Sequence, residues 1–251
     1  MHNSLTAGPN IVILGTKIMV EKICITRVSA WACGIESSGE WDEWAMGRRN
    51  ISSEAKAPDI TFTDSTFRRR LSRISKMTIQ VIHDLLPLGE DTKILFCSTR
   101  GELSREYQLF KMLREEGEVS PAAFSLSGFN TPVALASIAL GLKGGYSAIY
   151  PVKNSFNACI KTAQAMLLSG TAEELALVYA DENIPPECGS FFRESPVSAA
   201  CGFLISRNSS PETETLPSVP VLLMTEKEDD PLAFLKQILL SGKLKVTSGS
   251  S

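Results

Sequence analysis

Short apolar runs that alternate with amphipathic segments are the feature that most constrains the fold of this 251-residue chain. Runs of strand length are followed repeatedly by segments whose apolar residues recur every three or four positions, which is helical spacing. Such an alternation of strands and helices predicts an α/β layered sheet. The predicted strands are residues 22–31, 93–97, 146–152, 175–179, 201–206 and 219–224.

The predicted helices cover residues 67–86, 102–116, 131–141, 154–169 and 231–241. Thr99 and Glu102 have the spacing of a capping box at the start of the second helix. The helix 154–169 is apolar nearly all round, so it must be buried on most sides, and we expect the C-terminal helix 232–240 to cover it in part. Asp181 and Glu182 follow a strand, and we interpret them as a solvated strand end rather than a metal or acid pair.

Composition excludes several classes of partner. Hydrophobic residues make up 43% and charged residues 21% of the chain, which is typical of globular proteins, and the formal net charge is -3. The chain has no excess of basic residues that would attract nucleic acid or anionic lipid. The longest apolar runs are too short for membrane insertion. There is no P-loop and no dinucleotide-binding fingerprint, and the sequence predicts no cofactor.

Six cysteines are present, but none are spaced as CxxC and no histidine pair accompanies them, so no metal site is predicted. Four of them lie in apolar runs, as reduced core thiols of a cytoplasmic protein would: Cys24, Cys97, Cys159 and Cys201. The apolar run 11–14 has no basic segment before it and no cleavage site after it, so we expect a non-secreted protein. Residues 1–18 are either an extension or the result of a start codon upstream of Met19.

The block 120–170 resembles β-ketoacyl synthases, in which it leads to the nucleophile. The matching residues are Ser120-Pro121, Asn130, Ser137-Ile138, Gly141-Leu142-Lys143-Gly144, Ser147-Ala148 and Ser169-Gly170. The resemblance covers roughly residues 19–207. It implies a thiolase-like layered fold, essentially the N-terminal half of a ketosynthase, preceded by the extension 1–18. A linker at 208–218 and a segment 219–251, with the last strand, a helix and a polar tail, would follow.

The resemblance also implies that the chain is not catalytic. Register along the strand 146–152 places Lys153 where the family has its catalytic cysteine, and a protonated amine is not a nucleophile. The family's two catalytic histidines lie in its second half, whereas this chain has only His2 and His83. Lys153 itself is either a solvated lysine or an interface residue.

A further resemblance indicates a function. The segments 71–73, 98–103 and 124–127 resemble the shortened chain length factors of aryl-polyene and related fatty-acid-like clusters, which form heterodimers with a catalytic β-ketoacyl synthase. The strand before the nucleophile position would then pair with that partner through Tyr146, Ile149, Tyr150 and Val152. Gly128, Phe129 and Asn130 would lie at the end of its acyl channel. The family commonly has histidine where this chain has Phe129.

Several alternatives remain open. The chain could be an active synthase or acyltransferase with Cys97 or Cys159 as nucleophile. It could also be a scaffold that binds the acidic acyl carrier protein through Arg68, Arg69, Arg70 and Arg73. At the proposed channel, Phe129 could be an ordinary core aromatic residue and Asn130 could simply cap the helix that begins at Thr131.

Overall fold

The computed structural model describes residues 22–151, 155–183, 197–208, 217–221, 225, 227 and 229–247. From the N-terminus, its first elements are β1 (Lys22–Ala32), α1 (Ser38–Ala45), α2 (Ser65–Arg68), α3 (Arg73–Asp84), β2 (Lys93–Cys97), α4 (Leu103–Glu116), α5 (Pro121–Ser125) and α6 (Thr131–Leu140). The remaining elements are β3 (Tyr146–Ile149), α7 (Phe156–Leu168), β4 (Glu174–Asp181), β5 (Ala199–Asn208), β6 (Val219–Pro220), α8 (Pro231–Leu240) and β7 (Val246–Thr247).

The described strands form one mixed sheet in the order β3-β2-β4-β5-β1-β6, with β7 also beside β1. The strands β3, β2 and β4 are parallel, whereas β5 is antiparallel to both β4 and β1. The parallel part is therefore at the β3 end of the sheet. Among the described strands, β3 has a neighbour on one side only.

Both faces of the sheet are buried, which explains the nearly continuous apolar run of β4. Leu175 and Leu177 belong to a core with α1, α7 and α8 on one face, the α7 face. Ala176 and Val178 belong to a second core with α3 and α6 on the other, the α3 face. This alternation is the period of two that a strand imposes on its side chains.

The arginine-rich segment is divided between two helices instead of lying within the single predicted helix 67–86. The hydroxyl of Ser72 accepts a hydrogen bond from the backbone N–H of Ser75, at 3.2 Å, and this N-cap starts α3 after the short helix α2. The apolar residues of α3, including Ile74 and Ile82, are fully buried on the sheet. The predicted buried helical face is therefore confirmed, while the predicted helix start is wrong.

The expectation that the C-terminal helix covers α7 in part is confirmed. α8 contributes Phe234 and Leu235 to the same core as Phe156 of α7, and the rings of Phe156 and Phe234 have centroids 5.5 Å apart. Asp230 caps α8 by accepting a hydrogen bond from the Ala233 N–H at 2.8 Å. The helix α7 still has an exposed side, which includes Leu168.

Two strands differ from their predicted bounds, and one was not predicted. β3 ends at Ile149 and β6 spans only Val219–Pro220, so both are shorter than the runs 146–152 and 219–224. The segment predicted as a polar tail contains β7, which pairs with β1 in parallel. The predicted extension 1–18 and most of the linker 208–218 lie outside the described residues. No helix within the described part is both long and apolar enough to cross a membrane.

Replacing Leu235 by alanine should lower the free energy of unfolding by about 2–5 kcal/mol, because its fully buried side chain would leave a cavity under α8. Leu240 is the matched control: it lies on the same helix but is 56% exposed, and Leu240→Ala should change the value by less than about 0.5 kcal/mol. Urea unfolding of the two variants measures both values. Equal effects would show that α8 does not pack on the α7 face in solution.

Candidate functional site

The carboxyl ends of β2 and β4, which are adjacent and parallel, meet at a buried carboxylate. Asp181, at the end of β4, is 4% exposed. It accepts hydrogen bonds from the Ser98 hydroxyl at 2.6 Å, from the Thr99 and Arg100 N–H groups at 3.1 Å each, and from the Tyr179 hydroxyl at 2.5 Å. The Thr99 hydroxyl is a further donor. The carboxylate thus holds the turn of residues 98–101, which we call the Asp181 turn.

The interpretation of Asp181 and Glu182 as a solvated strand end is wrong, because both side chains are almost completely buried. Asp181 is stabilised there by its donors and by the Arg100 guanidinium, whose Nη1 lies 3.8 Å from the carboxylate. Burial and the neighbouring carboxylate raise the pKa of Tyr179, so this phenol remains a donor. The carboxylate of Asp181 is therefore fully engaged in structural contacts, while Nε and Nη1 of Arg100 are buried without a hydrogen-bond partner.

A second buried network surrounds Glu102, which is fully buried. Its carboxylate accepts hydrogen bonds from the hydroxyls of Ser72 and Ser75 at 2.7 and 2.8 Å, and from Arg105 Nε at 3.3 Å. The predicted capping box is therefore wrong. Glu102 stands at the N-cap of α4 without a side-chain cap bond, since its carboxylate connects α4 to α3 and the Thr99 side chain is bound to Asp181.

Arg73, one of the four arginines predicted to bind a carrier protein, belongs to a third buried contact. Its Nε lies 3.6 Å from the carboxylate of Glu182, and its Nη1 donates to the Ser198 hydroxyl at 3.1 Å. Burial raises the pKa of Glu182, while the Ser104 hydrogen bond and Arg73 oppose this shift. Arg73 therefore connects α3 with the start of β5.

The structure does not bring the four arginines together as one exposed patch. Arg68 is half-buried and donates from Nη1 to the carbonyl oxygen of Thr63 at 3.0 Å. Arg69 and Arg70 are exposed at the junction between α2 and α3. Only these two of the four are thus exposed on the surface.

The strand β3 presents one side of its backbone outward. The Ile94 N–H donates to the carbonyl of Gly145 at 3.0 Å, and the Ser98 N–H donates to the carbonyl of Ile149 at 3.4 Å. Since backbone groups alternate along a strand, those of Tyr146 and Ala148 point away from β2. No described strand pairs with that side.

The predicted channel residues lie next to this edge. The Asn130 side-chain amide donates to the Tyr146 hydroxyl at 3.2 Å, which links the start of α6 to β3. Asn130 occupies the N-cap position of α6, but its side chain makes no cap bond, so the predicted capping role is wrong. Phe129 is half-buried, with its ring centroid 6.2 Å from that of Phe96, and Gly128 is exposed.

Tyr150, the next predicted interface residue, is 59% exposed and Tyr146 is 40% exposed, whereas Ile149 is half-buried. The structure therefore places Tyr146, Ile149 and Tyr150 together at one edge with Phe129 and Asn130. Val152 and Lys153 lie outside the described residues.

The helix α7, which follows the predicted nucleophile position, has a carboxylate at its N-terminus. Asp229 accepts a hydrogen bond from the backbone N–H of Asn157 at 2.6 Å and another from the hydroxyl of Ser155. A helix N-terminus favours negative charge, and in a thiol enzyme it stabilises the thiolate. Here the side chain of Asp229 already supplies that negative charge. Sequence reasoning missed this contact, which joins residues 72 positions apart.

The prediction that the cysteines of the apolar runs are core thiols is confirmed. Cys24, Cys97, Cys159 and Cys201 are buried and free, as is Cys33. Burial, together with the adjacent Cys159 thiol, raises the pKa of Cys97. A raised pKa disfavours the thiolate that nucleophilic attack requires. Cys188 lies outside the described residues.

A separate cleft of about 420 Å³ lies at the carboxyl end of β1. Its lining includes Trp31, Cys33, Lys56, Asp59 and Asp84, and none of the predicted site residues.

Asp181→Asn should lower the free energy of unfolding by about 3 kcal/mol, since the amide removes the charge and turns a donor toward groups that are themselves donors. Asp59→Asn is the control, because Asp59 is exposed and the change should stay within about 0.5 kcal/mol. Chemical unfolding monitored by circular dichroism provides both values. A loss of under about 1 kcal/mol for Asp181→Asn would show that other contacts hold the turn.

Solved structures with the same fold include complexes of ketosynthases. One is the ketosynthase ApeO in complex with its chain length factor ApeC from Xenorhabdus doucetiae, with a TM-score of 0.64, 21% identity, and coverage of 75% of this chain and 80% of the matched chain. Another is the ishigamide ketosynthase/chain length factor, with a TM-score of 0.59, 15% identity, and coverage of 78% of this chain and 64% of that chain.

A third structure is a ketosynthase from module 6 of the bacillaene synthase of Bacillus subtilis 168, with a TM-score of 0.55 and 14% identity. The match covers 79% of this chain but only 38% of that one. At these identities the similarity shows a shared fold, and the predicted α/β thiolase-like fold is confirmed. No curated protein sequence is similar enough to count as a relative.

The family model described as beta-ketoacyl synthase, N-terminal domain, matches residues 41–241. This range includes every described element from α2 to α8 and most of α1. The chain therefore belongs to the family of the β-ketoacyl synthase N-terminal domain.

Proposed function

We propose that this chain is a non-catalytic chain length factor that forms a heterodimer with a catalytic β-ketoacyl synthase and shapes its acyl channel. The observation that carries the proposal is the outward edge of β3, with Phe129 and Asn130 beside it. An edge strand is a ready site for pairing with another chain. Pairing there would bring Phe129 against the partner.

Exposed apolar side chains are frequent in the part of the sequence that surrounds β3. Of the eleven large hydrophobic residues exposed in the described part, seven lie between residues 110 and 168. Two of them, Tyr146 and Tyr150, lie on the outer strand β3 and directly after it, where a pairing partner would cover them. The seven are Phe110, Leu113, Phe124, Ile138, Tyr146, Tyr150 and Leu168.

Three features support the proposal that the chain has no nucleophile of its own. The family register assigns the cysteine position to Lys153. Asp229 supplies negative charge to the N-terminus of α7, where a thiolate would otherwise be stabilised. The alternative nucleophiles Cys97 and Cys159 are fully buried, and burial raises the pKa of Cys97.

The structural relatives support the choice of partner. Two of them consist of a ketosynthase and its chain length factor. In the first, nearly equal shares of the two chains are covered, so the matched chain is about as long as this one. By the same resemblance we propose a cytoplasmic protein, with a product of the aryl-polyene or fatty-acid-like kind.

Size discrimination by packing is the proposed mechanism. A bulky side chain at the end of a channel excludes an acyl chain that is too long, and a misfit of one methylene is worth about 1–3 kcal/mol. Phe129 is the candidate, because its half-buried ring packs on Phe96 of β2 and the next residue, Asn130, is hydrogen-bonded to Tyr146 of β3. A subunit without catalytic groups can limit product length in this way.

A second role, binding of an acyl carrier protein, is compatible with the first. Arg69 and Arg70 are exposed beside each other, and a carrier protein is acidic. Another structural relative, with a TM-score of 0.60 and 11% identity, is a complex of an acyl carrier protein with its ketosynthase. We propose these two arginines, rather than all four, as the docking cations.

Co-expression with the β-ketoacyl synthases of the same organism should give a stable one-to-one heterodimer by size-exclusion chromatography and light scattering. Ala148→Pro should weaken the complex by roughly tenfold or more, because proline removes an outward N–H of β3. The fold should be retained, since proline is tolerated on the free side of an edge strand.

Ala148→Gly is the matched control, because it also changes the side chain at this position but keeps the N–H. It should form the heterodimer with nearly the affinity of the unaltered chain. A chain that remains a monomer or a homodimer with every ketosynthase would contradict the proposed function. Equal affinities for the proline and glycine variants would show that the partner does not pair with β3.

Thiol labelling separates the proposed function from an acyltransferase or synthase activity. With a low excess of iodoacetamide, peptide mass spectrometry of the native protein should find the five described cysteines unmodified, because all of them are buried. The same reagent should modify them in denaturing urea. Selective modification of Cys97 or Cys159 in the native protein would favour the enzyme.

A further inference from the structure

Phe129 lies so close to the backbone of Gly101 that no residue with a Cβ atom would fit at position 101 without a shift. A Cβ atom built on Gly101 would lie 2.7 Å from Cδ2 of Phe129 and 3.3 Å from both its Cα and its Cε2. Real Cβ atoms do not approach carbon to 2.7 Å, so the aromatic ring would have to move. The ring of Phe129 therefore rests directly on the backbone of residue 101.

The ring has only one direction in which to move. On its inner side lies Phe96, which is fully buried in the core of the α3 face. Gly101 is itself buried, while Phe129 is half-buried. A displaced ring would therefore shift toward its exposed side.

The backbone of Gly101 cannot easily move away from the ring, because the Asp181 turn fixes its position. The Gly101 N–H donates to the Ser98 hydroxyl at 2.7 Å, and that hydroxyl donates to Asp181 at 2.6 Å. Gly101 also has a φ of +55°, a conformation that glycine adopts without steric cost. The buried carboxylate of Asp181 thus determines the position of the backbone on which the Phe129 ring packs.

We propose that Gly101 is a positioning residue, which sets how far Phe129 projects from the surface and thereby the length of the acyl chain that the complex accepts. This inference rests on the proposed function. It assigns the limit on chain length to two residues acting together: Phe129, which would meet the acyl chain, and Gly101, which acts only through Phe129.

The test is the distribution of product lengths made by the purified heterodimer. Gly101→Ala should push the ring outward and lower the ratio of longer to shorter products about tenfold. Gly117→Ala is the matched control, because Gly117 also has a positive φ, of +76°, but no atom lies within 4 Å of its Cβ position. It should carry a similar backbone strain and leave the ratio unchanged.

Two further variants report on the ring itself. Phe129→Ala should raise the proportion of longer products, and Gly101→Ala combined with Phe129→Ala should behave like Phe129→Ala alone, because the clash with the ring is gone. Phe96→Leu makes room on the inner side and should also lengthen the products. This last variant decides the question if Gly101→Ala does not fold.

The outcomes distinguish the positioning role from the proposed function. If Phe129→Ala lengthens the products while Gly101→Ala resembles Gly117→Ala, the positioning role is overturned and the proposed function stands. If Gly101→Ala does not fold and Phe96→Leu leaves the lengths unchanged, the positioning role is likewise overturned. If no heterodimer forms, or if Phe129→Ala leaves product length unchanged, the proposed function itself fails.

Discussion

The buried carboxylate of Asp181 is the contact on which the rest of this end of the molecule depends. Removing a carboxylate from water costs several kcal/mol unless donors replace the solvent, and here the ends of β2 and β4 supply them. The donors include two consecutive backbone N–H groups, so satisfying Asp181 fixes the course of the chain through the Asp181 turn. The turn then fixes the start of α4 and the backbone beneath Phe129.

This network changes what the carboxyl edge of the parallel strands can do. In open α/β sheets that edge is where ligands bind, because the strand ends leave a crevice. Here it contains Asp181, Glu182 and Glu102, all buried and engaged with hydroxyls and arginines. Together with the carboxylate of Asp229 on α7, they make this edge a structural element. The proposed interface therefore lies beside this edge, on the outer side of β3.

Local sequence patterns predicted the fold well, because apolar periodicity reports directly on which elements are buried. They failed where burial depends on a partner distant in sequence. Asp181 and Thr99 are 82 residues apart, and the sequence around either residue does not predict the contact. A charged pair after a strand is solvated in most proteins, so local reasoning gave the wrong environment. β7 was not predicted for the same reason, since two residues in a polar segment form a strand only because β1 lies beside them.

The described residues cover the two edges of the sheet to different extents. At the β1 edge, the C-terminal segment adds β6 and β7 and places α8 over the core of the α7 face. At the β3 edge, no described element performs that task, although the strand is parallel, regular and flanked by exposed aromatic residues. Proteins normally protect such an edge with charge, proline or a covering element. Because the described residues cover one edge and not the other, the proposed function assigns the uncovered edge to pairing with the partner.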